Sequence, residues 1–178
     1  MVAVVAAGPG AAEAPAAAGH RDHGERRGGR MVGMSRRSLK KCVDQARVVE
    51  AIREAERLTS GEIRVSVAHF FWGNVEKTAG KAFHQLGMEY TADRNGVLIF
   101  IVPSRKRFAI LGDRGIHEKV GQAFWEDVSA CLSSHFRKEA FTEGLVEGIH
   151  MVGERLATHF PSAGKADRNE LSDHVNFQ

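Results

Sequence analysis

Cysteine is nearly absent from this chain. Cys42 and Cys131 are the only two in 178 residues, far apart, with no C-x-x-C and no histidine at zinc spacing. That excludes a disulfide scaffold and a zinc ribbon or finger. Both are expected as reduced thiols in a cytoplasmic protein, Cys131 being an inert one in mid-helix on a buried face. No apolar run approaches the ~20 residues that cross a bilayer. Residues 1–7 are apolar but short, lack a basic leader and are followed by glycine, prolines and Glu13, so they do not read as a secretory signal. No membrane attachment is expected. The fold also lacks a basic surface. Of 25 basic and 22 acidic residues, eight and three lie in 1–41, which leaves 17 against 19, net −2, for everything beyond. A nucleic-acid module carries its basic excess on the fold, so specific DNA or RNA binding is not expected. Residues 26–41 offer polyanions only weak attachment through charge, and a solvated tail is the plainer reading.

The usual catalytic signatures are missing as well. Ser60-Gly61 and Ser104 stand in no G-x-S-x-G elbow, Gly112-Asp113-Arg114-Gly115 is no phosphate loop, and His117-Glu118 is not followed by the second histidine of H-E-x-x-H. No D-x-D-x-D-G calcium loop and no internal repeat is present.

What remains is one domain between two tails. Residues 1–33 are Ala, Gly, Pro, Arg and His with little else, have no periodic apolar face, and are expected to be disordered. Met31 and Met34 stand just before the first structured stretch, and translation starting at either would leave that tail out. The domain is expected over 34–161, with 162–178 polar and frayed. Within it, residues 42–58 carry Val43, Ala46, Val49 with Val48, Ile52 and Ala55 at helical steps. Residues 62–68 then alternate, Ile63, Val65 and Val67 against Glu62, Arg64 and Ser66, as in a strand with one poorly covered face near a sheet edge. Asn74 caps a helix with Ala79, Ala82, Phe83 and Leu86 as its stripe, ending near Gly87. The aromatic triplet Phe70-Phe71-Trp72 before it reads as buried under that helix, or else as a partner-binding patch.

Residues 93–121 organise the rest. Val97 to Val102 is an unbroken apolar run suited to a strand covered on both faces. Pro103-Ser104-Arg105-Lys106 is a turn and 107–111 a second short strand, which together form a hairpin. Pairing 103 with 106 makes partner positions sum to about 209, so Asp113 falls opposite Gly96. Because a strand–helix–strand crossover is right-handed and parallel, the 62–68 strand starts at the same end. Helices of 115–119 and 121–136, split at Gly121, and Phe141 to His159 complete the order α, β, α, β, β, α, α. This predicts an α/β fold, a three-layer α/β/α sandwich with a small mixed sheet. Gly144 and Gly148, one turn apart in the last helix, suggest close packing on a neighbour.

Asp93, Asp113 and Glu62 thus gather at one sheet end, with Glu118 a turn further on. Hard divalent cations want several oxygens, which these carboxylates and the carbonyls beside Gly96, Gly112 and Gly115 offer, Ca²⁺ first among the ions. The same residues fit capping and turn roles, Asp113 standing just before a helix. His117 reads as a surface histidine, and His69, His84, His135, His150 and His159 fit no ligand spacing. Arg64, Arg94 and Arg114 read as solvated, or as anion clamps beside a cation.

Ser60-Gly61-Glu62-Ile63-Arg64-Val65, Arg94-Asn95-Gly96-Val97-Leu98-Ile99, Phe108-Ala109-Ile110-Leu111-Gly112-Asp113-Arg114-Gly115-Ile116-His117, Phe124-Trp125 and the helix containing Gly144 and Gly148 resemble the TPM-domain family. That family includes a thylakoid lumen protein, a photosystem II accessory protein and a receptor modulator. The likeness spans about 43–160 and is nearest to the soluble, bacterial, stand-alone branch. It implies an α/β/α sandwich. It also implies divalent-metal binding with weak acid phosphatase activity in some members, and assembly or repair of membrane complexes in others. The family's acidic loops correspond here to Asp93 and Asp113. The resemblance leaves three expectations open: a cation-binding domain of undefined role, a weak metal-dependent acid phosphatase, or a non-catalytic interaction module with a protein partner. A monomer is expected.

Overall fold

The computed structural model describes residues 2–4, 42–69, 73–162 and 175–177. Its elements in chain order are β1 (Val2–Val4), α1 (Gln45–Glu56), β2 (Ile63–Val67), α2 (Val75–Gln85), β3 (Val97–Val102), β4 (Arg107–Gly112), α3 (Arg114–Arg137), α4 (Phe141–His159) and β5 (Asn176–Phe177). The sheet order is β1-β4-β3-β2-β5. β2 and β3 run parallel, Ile63 beside Val97 and Val67 beside Ile101, as the crossover rule requires. β3 and β4 are antiparallel from Val97↔Gly112 to Val102↔Arg107, every pair summing to 209. Between them lies one 3₁₀ turn, Pro103–Arg105, closed by Lys106 at φ 50°.

The alternation of the strands divides the core into two layers. Ile63, Val65, Val67, Val97, Ile99, Ile101, Phe108 and Ile110 face α1, α3 and α4. Leu98, Phe100, Val102, Ala109 and Leu111 face α2, through Ala79, Ala82 and Phe83. This is the three-layer sandwich, with α4 packed against both α1 and α3. Three of the four helices, α1, α2 and α3, start on a short polar side chain that satisfies a backbone donor left free in the first turn, whereas α4 starts after Ala140 with no side-chain cap. Asp44 accepts from Ala46 N at 3.0 Å and Arg47 N at 3.2 Å, and Asn74 accepts from Lys77 N at 3.0 Å. α1 buries Val48, Ala51, Ile52 and Ala55 and leaves Ala46 exposed, a face turned slightly from the expected one.

Three expectations are corrected. Residues 1–33 are not without structure throughout: Val2–Val4 lies antiparallel along the outer edge of β4, Val2 opposite Gly112. Nor is the C-terminal stretch frayed to its end, since Val175 is buried and Asn176–Phe177 extends β2 in parallel. Short apolar segments satisfy the unpaired N–H and C=O groups that an edge strand exposes. β2 itself is buried on both faces, Arg64 included at 3 % exposure, its guanidinium paired with the Glu62 and Glu56 carboxylates. The rest of both tails, and Phe70, Phe71 and Trp72, lie outside the described residues. Among those described, no helix is long and apolar enough to cross a membrane.

The split of the long helix at Gly121 is real. Gly121 has φ 70° and ψ −179° inside α3, a region open essentially to glycine alone. A Cβ there would meet nothing within 4 Å, so Gly121→Ala isolates backbone strain. We expect it to lower the urea midpoint by the equivalent of about 1–3 kcal/mol with an unchanged denaturant slope. An equally stable variant would show that the kink relaxes freely.

Candidate functional site

The hairpin register brings two loops together at one end of the sheet. Asp113 N donates to Gly96 O at 2.8 Å and Gly115 N to Arg94 O at 2.9 Å, while Val97 N donates to Glu62 O at 2.8 Å. Backbone hydrogen bonds therefore tie the start of β3 to β2 on one side and to the α3 entrance on the other. Arg94 holds φ 54°, a left-handed turn that aims its side chain back across the loop pair.

All four candidate carboxylates are at this end or close to it, and each is engaged within the fold. Asp113 is fully buried and caps α3, its Oδ1 accepting from Arg114 N at 2.8 Å and Arg94 Nη2 at 3.2 Å. Arg94 Nε stands 2.9 Å from its Oδ2, an ion-pair distance without hydrogen-bond alignment. Glu62 is buried against Arg64, Oε2 to Nη2 at 3.3 Å, and Arg64 Nη1 lies 3.7 Å from Glu56 Oε1. Glu56 Oε1 also accepts from Ile63 N at 2.8 Å. Glu118 pairs one helical turn back with Arg114 at 2.6 Å, and that hydrogen bond holds its carboxyl below the usual range. Asp93 is exposed and, among the described residues, meets only a hydroxyl, Ser60 Oγ at 3.5 Å. Interleaved arginines thus supply the countercharge that a purely acidic reading of the loops leaves open. Arg64 is a buried partner rather than a solvated side chain.

Two residues outside the expected set complete the corner. Asn95 is 1 % exposed, donates from Nδ2 to Ser60 Oγ at 3.3 Å and from its backbone N to Thr91 Oγ1 at 3.1 Å. Its Oδ1 is buried with no hydrogen-bond partner among the described residues. A buried carbonyl oxygen left without a donor costs on the order of 1–3 kcal/mol. Ser60, Asp93 and Asn95 therefore form a polar corner with one unused acceptor. The signal for it lay in the sequence, as Ser60-Gly61 and Asn95-Gly96 stand close before the two parallel strands, offset by one position in their register.

His117 is half-buried and its Nδ1 accepts from the indole N–H of the fully buried Trp125 at 3.2 Å. It does not work as a pair with Glu118, which faces Arg114.

Among the described residues, Glu62, Asp93, Asp113 and Glu118 do not furnish three ligand atoms within 4.8 Å of one another, whereas Cys131, His135 and Glu147 do. Here the expectation of no histidine at ligand spacing is corrected. Cys131 and His135 are one turn apart on α3, and the α3–α4 turn brings Glu147 over them. Cys131 is half-buried rather than enclosed; burial, then the Glu147 carboxylate, pushes its thiol up to about 11.

A mixed five-stranded sheet between helical layers, with two polar loops meeting at the start of its parallel pair, defines an α/β/α domain of a particular kind. The family model described as the TPM domain matches residues 41–155, and the chain belongs to that family. Its fold is similar to the NMR structure of the BA42 protein from the psychrophilic bacterium Bizionia argentinensis, with 38% identity and a TM-score of 0.71. That match covers 76% of this chain and 92% of the other. A search of the curated proteins finds no match.

Proposed function

We propose that this TPM domain is a binding module that takes a divalent cation weakly at its polar corner, Ca²⁺ being the best suited ion. The reading rests on one observation: the buried Asn95 amide, whose Oδ1 has no partner among the described residues while its Nδ2 donates to Ser60 Oγ, which in turn reaches Asp93. Those are three neutral or anionic oxygens of the sort a hard cation collects. Asp93 is the carboxylate nearest to free, while Asp113 would join only by exchanging Arg94 for the ion, and Glu62 and Glu118 stay with their arginines. The weak phosphatase reading has less support, because Arg94 and Arg114, the residues to clamp a phosphoester, are already committed to carboxylates.

So few ligands imply a Kd on the order of 10⁻³ M. At about 10 mM Ca²⁺ that is about 1.4 kcal/mol of stabilisation, or a Tm rise of about 3–6 °C. Melting curves of the full chain should show this rise in the wild type, lose it in Asp93→Asn, and keep most of it in Asp113→Asn. An equal rise in Asp93→Asn, or none in the wild type, would put the interaction-module reading first.

A further inference from the structure

The α3–α4 seam brings together a thiol, an imidazole and a carboxylate whose ligand atoms all lie within 4.8 Å. His135 Nδ1 is 3.3 Å from the Cys131 carbonyl oxygen four residues back and 3.4 Å from Ser134 Oγ. With the Nδ1 proton donated to that carbonyl, the lone pair of the ring lies on Nε2, which faces Glu147 Oε2 at 3.4 Å. This is the support a metal-bound histidine usually has, a backbone carbonyl fixing tautomer and ring orientation. Two acceptors then face one another, an arrangement that a cation between them relieves. The scaffold is rigid on both sides. A Cβ on Gly144 would come 2.8 Å from His135 Cβ, and one on Gly148 would come 2.9 Å from Leu132 Cδ2, so α4 approaches α3 closely on either side of Glu147.

We propose that Cys131, His135 and Glu147 form a zinc site on the α3–α4 seam, separate from the loop corner. Sulfur, nitrogen and one carboxylate oxygen are the donors of a borderline-soft ion, and a set poorly suited to Ca²⁺. Three protein ligands leave the fourth tetrahedral position to water or an exogenous ligand, and it opens outward, the side chains of His135 and Glu147 being 27% and 57% exposed. On capture the Cys131 S–H bond breaks, its proton leaves to solvent, and the thiolate sulfur bonds the ion.

Cobalt(II), which takes zinc's place in such sites and absorbs, tests this with the full chain. A stoichiometric Co²⁺ titration should give near-ultraviolet sulfur-to-cobalt charge transfer and intense tetrahedral bands in the red, both erased by equimolar Zn²⁺. Cys42→Ser keeps the spectrum and Cys131→Ser loses the charge transfer. His20 and His23 of the N-terminal tail carry no sulfur and cannot imitate it. His135→Ala and Glu147→Gln, at partly exposed positions, should weaken zinc at least as much as the roughly 10–100-fold lost with a supporting partner. Asp93→Asn leaves the cobalt spectrum intact, so the two sites fail or stand separately. A charge-transfer band that is absent in the wild type, survives in Cys131→Ser or disappears in Cys42→Ser overturns the proposal. So does unchanged zinc affinity in both His135→Ala and Glu147→Gln.

Discussion

Replacing Arg64 by alanine is expected to cost the fold about 3–5 kcal/mol, enough to consume a large share of a domain's stability. Arg64 and Glu62 are each 3% exposed and the Glu56 side chain is 10% exposed, so the guanidinium lies between two carboxylates that water barely reaches. Truncation takes the Arg64 guanidinium from both carboxylates where solvent cannot substitute for it. Equilibrium urea unfolding at neutral pH reads the loss directly. Arg114→Ala is the control: its partner Glu118 is exposed, and solvent screens that pair, so its midpoint should hardly move. If burial of charge causes the loss, Glu62→Gln with Arg64→Met should recover part of it, since apolar replacement of a buried pair is often neutral. A loss for Arg64→Ala as small as that of the exposed pair would refute this.

The same triad marks the limit of what could be read in the sequence. Hairpin and crossover were legible because their rules are local. Pro103 with Lys106 fixes a turn, the turn fixes the register, and the register carries Asp113 to Gly96, where its N–H is found at 2.8 Å from the carbonyl. Alternation in β2, by contrast, predicts polar side chains in water. Arg64 is buried because Glu56, at the end of the preceding helix, turns back onto β2, a tertiary contact with no periodicity to announce it. The loops differ in the same way. That Asp93 and Asp113 lie at one end followed from topology; that Arg94 covers Asp113 depends on a left-handed turn at Arg94, a conformation not legible in residue type.

The edges and the seam were missed for other reasons. Val2–Val4 and Asn176–Phe177 are too short to carry a strand pattern and gain their structure from the edges they join. Cys131 and His135 were visible at i and i+4, yet two donors on one helix are no site. Glu147 completes the set only because the chain reverses between α3 and α4 and two glycines let the helices close up. Their close packing was expected; its consequence for the donors was not.

Gly115→Ala is expected to be the most damaging small change at the loop pair. In the second position of α3, alanine alone would favour the helix by about 1 kcal/mol. Position decides otherwise. A Cβ on Gly115 would overlap the Asp93 carbonyl oxygen and lie 2.8 Å from that of Arg94, and both are backbone atoms that no rotamer change can move. The loops must part, and the Gly115 N–H bond to Arg94 O, 2.9 Å, goes with them. Overpacking of this kind costs about 1–3 kcal/mol and the hydrogen bond about 1 more, so the net effect should be about 1–3 kcal/mol of lost stability after the helix gain. Because the shift displaces Asp93 and Arg94, the Ca²⁺-dependent rise in Tm should disappear as well, whereas the cobalt spectrum of the α3–α4 seam should persist. Urea midpoints and calcium melting curves on one preparation check both halves. A variant as stable as the wild type, or one that keeps the calcium response, would mean that the two loops are not locked together as the close approach at Gly115 requires.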